Sequence, residues 1–156
     1  MNYNAQVLSN VFKVKDTELV RRLLSSAGFY TDSYDDGIVF YDNEDSSYLC
    51  GDFTLVKYNN IPIVVLSDNN SEDDYTFAIE EYAGVKEDDI REELIEEVDF
   101  FTFLSEQLLE GEAMKVTEVG HEGLRYQSAC GVVITTKGYE WFDLNRIMDK
   151  YAEENA

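Results

Sequence analysis

Residues 53–67, FTLVKYNNIPIVVLS, hold two runs of β-branched and aromatic residues split by Asn59-Asn60. Asparagine tolerates the left-handed backbone of a tight hairpin turn, so the stretch predicts two antiparallel strands. Pro62, the one proline, cannot donate to a ladder and puts the second strand at an edge or beside the turn. Further strand-like runs lie on either side: Val7 to Val14, Gly37 to Asp42 (GIVFYD), Glu112 to Val119, Leu124 to Thr136 and Tyr139 to Phe142. Gly120-His121-Glu122-Gly123 and Lys137-Gly138 read as the hairpin turns among the last three. In the first of these hairpins Met114, Val116 and Val119 are expected in the core, with Lys115 and Glu118 outside.

Helical periods fill the gaps. Asp16 offers an N-cap, Leu19, Val20, Leu23, Leu24 and Ala27 share one stripe, and Gly28 ends the helix. Tyr75 to Ala83 fits a strand or a short helix, stopped by Gly84. The longest pattern runs from Glu87 to Glu110, with Ile90, Leu94, Ile95, Val98, Phe101, Leu104 and Leu108 on one side and room for a break near Asp99. Asp143 caps a last helix bearing Leu144, Ile147, Met148 and Tyr151. The order β-α-β-β-β-α-β-β-β-α, with mostly hairpin-length links, predicts an α+β fold: a mainly antiparallel sheet packed by helices on one face. One domain over 1–156 is expected, with the acidic loop 67–74 as the candidate break between halves of about 1–67 and 85–156.

The chain has 156 residues, 33 acids against 12 bases, and a net charge of −21. An apolar fraction of 44% and 13% aromatics exclude intrinsic disorder. The charge argues against direct contact with nucleic acid or an anionic membrane, and for basic partners. No apolar run is long enough for a membrane span, and no secretory signal is expected at Met1–Gln6, so a cytoplasmic location is expected. Cys50 and Cys130, far apart and outside any metal spacing, read as buried thiols.

Charge is not spread evenly. Residues 32–110 hold 23 acids and three bases (Lys57, Lys86, Arg91), a net of −20; the other 77 hold 10 acids and nine bases, a net of −1. A general acidic habit would be uniform, so the segregation points to an acidic face.

Catalytic signatures are missing. The single histidine, His121, falls at an expected turn, and no GxSxG, HExxH, GxxxxGK[ST] or GxGxxG string occurs. Asp68, Asn70, Glu72 and Asp74 start a calcium-loop spacing, but Asp73 replaces its glycine and Ile79 its bidentate glutamate. No enzyme activity and no cofactor are expected, although a small enzyme or metal-binding domain with a carboxylate site stays open as a second alternative.

Eight acids crowd Glu87–Asp99 against one base, Arg91. On a helix, Asp88, Glu92 and Glu96 would form one i, i+4, i+8 column, and Asp89, Glu93 and Glu97 a second. Such like-charge pairs cost a helix a few tenths of a kcal/mol each. Eight carboxylates over about 18 Å of helix approach the charge density of DNA, one per about 1.7 Å. Here the chain resembles the acidic, DNA-mimicking inhibitors of bacterial defence systems, the anti-CRISPR and anti-restriction proteins of phages and mobile elements. Residues 110–136 (EGEAMKVTEVGHEGLRYQSACGVVITT) are also similar to segments of small acidic proteins of bacterial mobile elements.

The resemblance implies a non-enzymatic inhibitor whose partner is a basic nucleic-acid-binding protein or nuclease complex. Asp88, Asp89, Glu92, Glu93, Glu96, Glu97 and Asp99 would stand in for phosphates, with Asp68, Glu72, Asp73 and Asp74 extending the track. Tyr75 and Tyr82 could stack on arginines of the partner, with core packing the equal alternative for each. An immunity protein that neutralises a basic nuclease toxin is the first alternative, because it would use the same acidic surface.

Overall fold

The computed structural model describes residues 4–34, 37–42, 53–66, 75–122 and 126–156. In chain order its elements are β1 (Asn4–Ser9), α1 (Thr17–Ser26), β2 (Tyr30–Tyr34), β3 (Gly37–Asp42), β4 (Thr54–Tyr58), β5 (Ile61–Leu66) and α2 (Tyr75–Ala83). There follow β6 (Ile95–Asp99), α3 (Phe100–Gln107), β7 (Ala113–Glu122), β8 (Tyr126–Thr135), β9 (Gly138–Asp143) and α4 (Leu144–Asn155). A six-stranded sheet has the order β2-β3-β1-β7-β8-β9, and a three-stranded sheet the order β5-β4-β6. Every pairing among the described residues is antiparallel, which makes the protein α+β.

Local chemistry explains several boundaries. The Asp16 carboxylate accepts a hydrogen bond from the Leu19 N–H at 3.1 Å, starting α1, and Gly28 leaves it at φ 101°. Asn59 and Asn60, at φ 48° and 67°, make the tight β4–β5 turn. Pro62 then lies on β5, an edge strand, where its missing N–H costs no ladder bond. At β3, a Cβ on Gly37 would stand 2.3 Å from the Phe12 carbonyl oxygen. Only glycine lets the chain after β1 fold back so closely that Phe12 and Ile38 exchange two 2.9 Å hydrogen bonds.

The main core runs through both sheets, α1 and α3, and includes Phe12, Leu23, Leu24, Phe40, Leu55, Phe100, Leu104, Met114 and Ile134. Phe101 bridges the two sheets. Its ring centroid lies 5.6 Å from Phe53, ahead of β4, and 5.6 and 5.5 Å from Tyr139 and Trp141 of β9. A smaller cluster of Tyr58, Ile63 and Ile79 fixes α2 to the three-stranded sheet, with Ile90, Leu94 and Ile95 packed against it. Residues 75–83, compatible on sequence with strand or helix, are therefore helical.

Several expectations need correcting. Met114 and Val116 are buried, but the next inward position is Glu118, 3% exposed, while Val119 is 58% exposed. Strand side chains alternate strictly, so 114, 116 and 118 share a face and 119 cannot join them. The β7–β8 ladder also runs further than expected. Pairing continues through Gly120, His121 and Glu122, opposite Ser128, Gln127 and Tyr126, so His121 lies in a strand and the turn falls outside the described residues. Finally, Cys130 is disulfide-bonded rather than a free thiol. The sequence holds one other cysteine, Cys50, outside the described residues.

Candidate functional site

The expected helix from Glu87 does not form. Two single 3-10 turns, Glu87–Asp89 and Glu92–Leu94, lead directly into β6, and helix begins only at Phe100. Asp99 caps that helix, its carboxylate accepting from the Thr102 N–H at 3.1 Å and hydroxyl at 2.9 Å. Tertiary pairing decides the outcome. β6 completes the three-stranded sheet beside β4, with Tyr58 opposite Ile95, Lys57 opposite Glu96 and Leu55 opposite Val98. The Tyr58 hydroxyl accepts from the Arg91 N–H at 3.1 Å, and the Asn59 N–H donates to the Leu94 carbonyl at 2.9 Å. Ile90, Leu94 and Ile95 are covered by the smaller core cluster and Val98 by the larger, which satisfies the apolar positions without a helix.

The two carboxylate columns vanish with the helix. Asp88 and Asp89 lie in the first turn, Glu92 and Glu93 in the second, and Glu96, Glu97 and Asp99 on β6, all exposed. On β6, Glu96 and Glu97 point to opposite faces. Asp68, Glu72, Asp73 and Asp74 lie outside the described residues. At about 2.0 Å per 3-10 residue and 3.3 Å per strand residue, the path from Glu87 to Asp99 is at most about 35 Å. That is roughly one carboxylate per 4 Å, near the 3.4 Å per charge of a single nucleic-acid strand rather than the 1.7 Å of a duplex.

The structure groups a different trio. Glu87, Glu92 and Glu97 rim a groove of about 740 Å³ floored by Ile90 and Ile95 and walled by Tyr75 and Thr76. Glu87 is the residue that helix spacing leaves out; five-residue steps bring 87, 92 and 97 together because each step crosses a turn or a strand. Arg91 pairs with Glu93 at 2.7 Å. The Glu93 backbone N–H, then the Arg91 hydrogen bond, hold this carboxyl below its ordinary value. Among the described residues no other base lies within ion-pair distance of the acids of 87–99.

Tyr82 has a partner already. The Arg22 guanidinium lies 3.8 Å from its ring centroid while donating to the carbonyls of Pro62 and Ile63 at 2.8 and 2.6 Å. Tyr75, at the groove wall, is half-buried against the smaller core cluster.

Carboxylates around a small apolar floor can receive a guanidinium or ammonium group, whose stem covers the isoleucines while its head meets the rim. Among the described residues no group of three or more His, Cys, Asp or Glu is placed to hold a metal ion. Among those residues, too, no helix is long and apolar enough to cross a membrane. Compared with known proteins, the chain matches no family model, no curated protein and no solved structure.

Proposed function

We propose that the protein is a non-enzymatic inhibitor that occupies the basic nucleic-acid-binding surface of a bacterial defence nuclease complex, a CRISPR-Cas or restriction enzyme, with carboxylates in place of phosphates. The observation that carries this reading is the ridge 87–99: eight acids, all exposed and answered by one arginine, on a segment tied down by β4 and Tyr58. A fixed backbone keeps the charges close together without the entropy loss that a flexible acidic tail would suffer on binding. Binding is steric and electrostatic. Lysines and arginines that would grip phosphates meet Glu87, Glu92 and Glu97 around the groove and the neighbouring acids beyond it, with counterions released and association steered by the field.

The test is charge reversal. Changing Glu92, Glu93, Glu96 and Glu97 to lysine adds two charges per site and takes the net charge from −21 to −13. All four side chains are exposed, so the fold should survive. The native chain should retain a nucleic-acid-handling protein from host lysate, with capture weakening as salt rises, and the variant should not. Because Cys130 is disulfide-bonded and a cytosol reduces such bonds, capture is run with and without reductant. Undiminished inhibition by the variant at physiological salt would refute phosphate mimicry by this ridge. A partner that handles no nucleic acid would refute the inhibitor reading as a whole.

A further inference from the structure

We infer that the protein forms a two-fold homodimer through α4 and the outer face of the six-stranded sheet, a surface distinct from the acidic ridge. α1 and α3 cover the inner face of that sheet. Its outer face carries Leu8, Thr117, Val119, Gly131, Val133 and Phe142, in register across β1, β7, β8 and β9. Leu8 and Val119 are 57% and 58% exposed.

α4 leaves the end of β9 and borders this face without closing it. Leu144, Ile147, Met148 and Tyr151 stand at i, i+3, i+4 and i+7, a seam that a soluble helix normally buries. Here all four are about half exposed or more, and Tyr151 reaches 69%. Between helix and sheet runs an apolar groove of about 410 Å³.

A second copy is the occupant that fits. Leu8, Val119, Phe142 and the four seam residues each leave roughly 100 Å² to water, so together they approach the ~800 Å² per partner of a standard interface. A seam centred between Ile147 and Met148 is self-complementary when two α4 helices run antiparallel, as an isologous contact demands. Charge selects the face as well. Residues 32–110 carry −20, whereas 111–156 hold eight acids and five bases, and Arg146 and Lys150 alternate with Asp149 and Glu153 along α4. Two copies can therefore meet here while their acidic ridges stay apart. A strongly basic partner is drawn elsewhere.

Sedimentation equilibrium of the full chain, up to about 100 µM protein and at low and about 0.5 M salt, should give twice the 17.9 kDa chain mass. Higher salt should strengthen association by screening the repulsion of two −21 chains, the opposite of the salt effect on a basic partner. Ile147→Asp and, separately, Met148→Asp should give the chain mass with unchanged far-UV circular dichroism. Both sites are more than half exposed in one copy, so neither change should disturb its fold. A native chain that stays monomeric at both salts overturns the inference, and the face then belongs to another partner. A dimer that survives both substitutions overturns it too, by placing the contact on another surface.

Discussion

Phe101→Ala should destabilise the protein by about 3–4 kcal/mol, and the ring's surroundings set that figure. Phe101 is 5% exposed and touches four aromatic rings, with Phe100 at 6.3 Å besides Phe53, Tyr139 and Trp141. Truncating a core phenylalanine costs about 3–5 kcal/mol in lost burial and residual cavity. Tyr139 and Trp141, each 39% exposed, can lean into part of the space, which favours the lower half of that range. The melting temperature should fall by about 6–16 °C, at about 2–4 °C per kcal/mol for a chain of this size. Trp141 is the sole tryptophan and lies against the altered residue, so its fluorescence reports on the junction while far-UV circular dichroism reports on the backbone. Urea unfolding by the two probes should shift together with an unchanged m-value, because one core runs through both sheets. A loss under about 1.5 kcal/mol, or a native Trp141 emission unmoved by the substitution, would refute Phe101 as the bridge between the sheets.

Two further outcomes follow from single contacts. Gly37→Ala drives a Cβ into the Phe12 carbonyl at φ 149° and should cost at least about 2 kcal/mol, with amide exchange at Ile38 accelerated; a native-like melting midpoint would count against it. The Asp32 charge, followed by desolvation and the Asp32 hydrogen bond, raises the Tyr41 phenol above its ordinary 10.0. A folded value above the unfolded one means that this contribution to stability is complete below pH 10 and is lost as pH rises through the folded value. Phenolate absorbance should show Asp32→Asn returning Tyr41 towards 10.0, and an unaltered titration would remove Asp32 as the cause.

Much of the fold is legible where local chemistry and tertiary structure agree. Asn59-Asn60, Pro62, Asp16, Gly28 and Asp143 all act as their residue types suggest, because each feature involves only near neighbours in sequence. Asp143, for instance, accepts from the Asn145 N–H at 2.9 Å at the start of α4. The segment 87–99 is different. Ile90, Leu94, Ile95 and Val98 lie at helical spacing, yet the strand β4 that claims them is some forty residues away. A sign of the outcome lies in the sequence: stacked like charges penalise a helix, and the observed path breaks the i, i+4 pairs by leaving Glu92 and Glu93 in a turn and Glu96 and Glu97 on β6. In β7 the reason is different, since apolar residues at 114, 116 and 119 cannot share a strand face whatever the fold. For the site, the acidic span and its exposure were legible. The Glu87–Glu92–Glu97 rim was not, because turn geometry creates it.

The pairing of β1 with β7 also sets when this protein can exist. Leu8 and Thr117 are neighbours across the middle of the larger sheet though 109 residues apart in the chain. During synthesis, at about 5–20 residues per second, the first strand waits about 5–20 s for that neighbour. The acidic segment leaves the ribosome before the sheet that completes the core can close. Folding is thus expected to be largely post-translational and slow for the chain's size, as long-range strand pairing requires. The many carboxylates then have a second use, keeping unfinished chains on crowded ribosomes from adhering to one another.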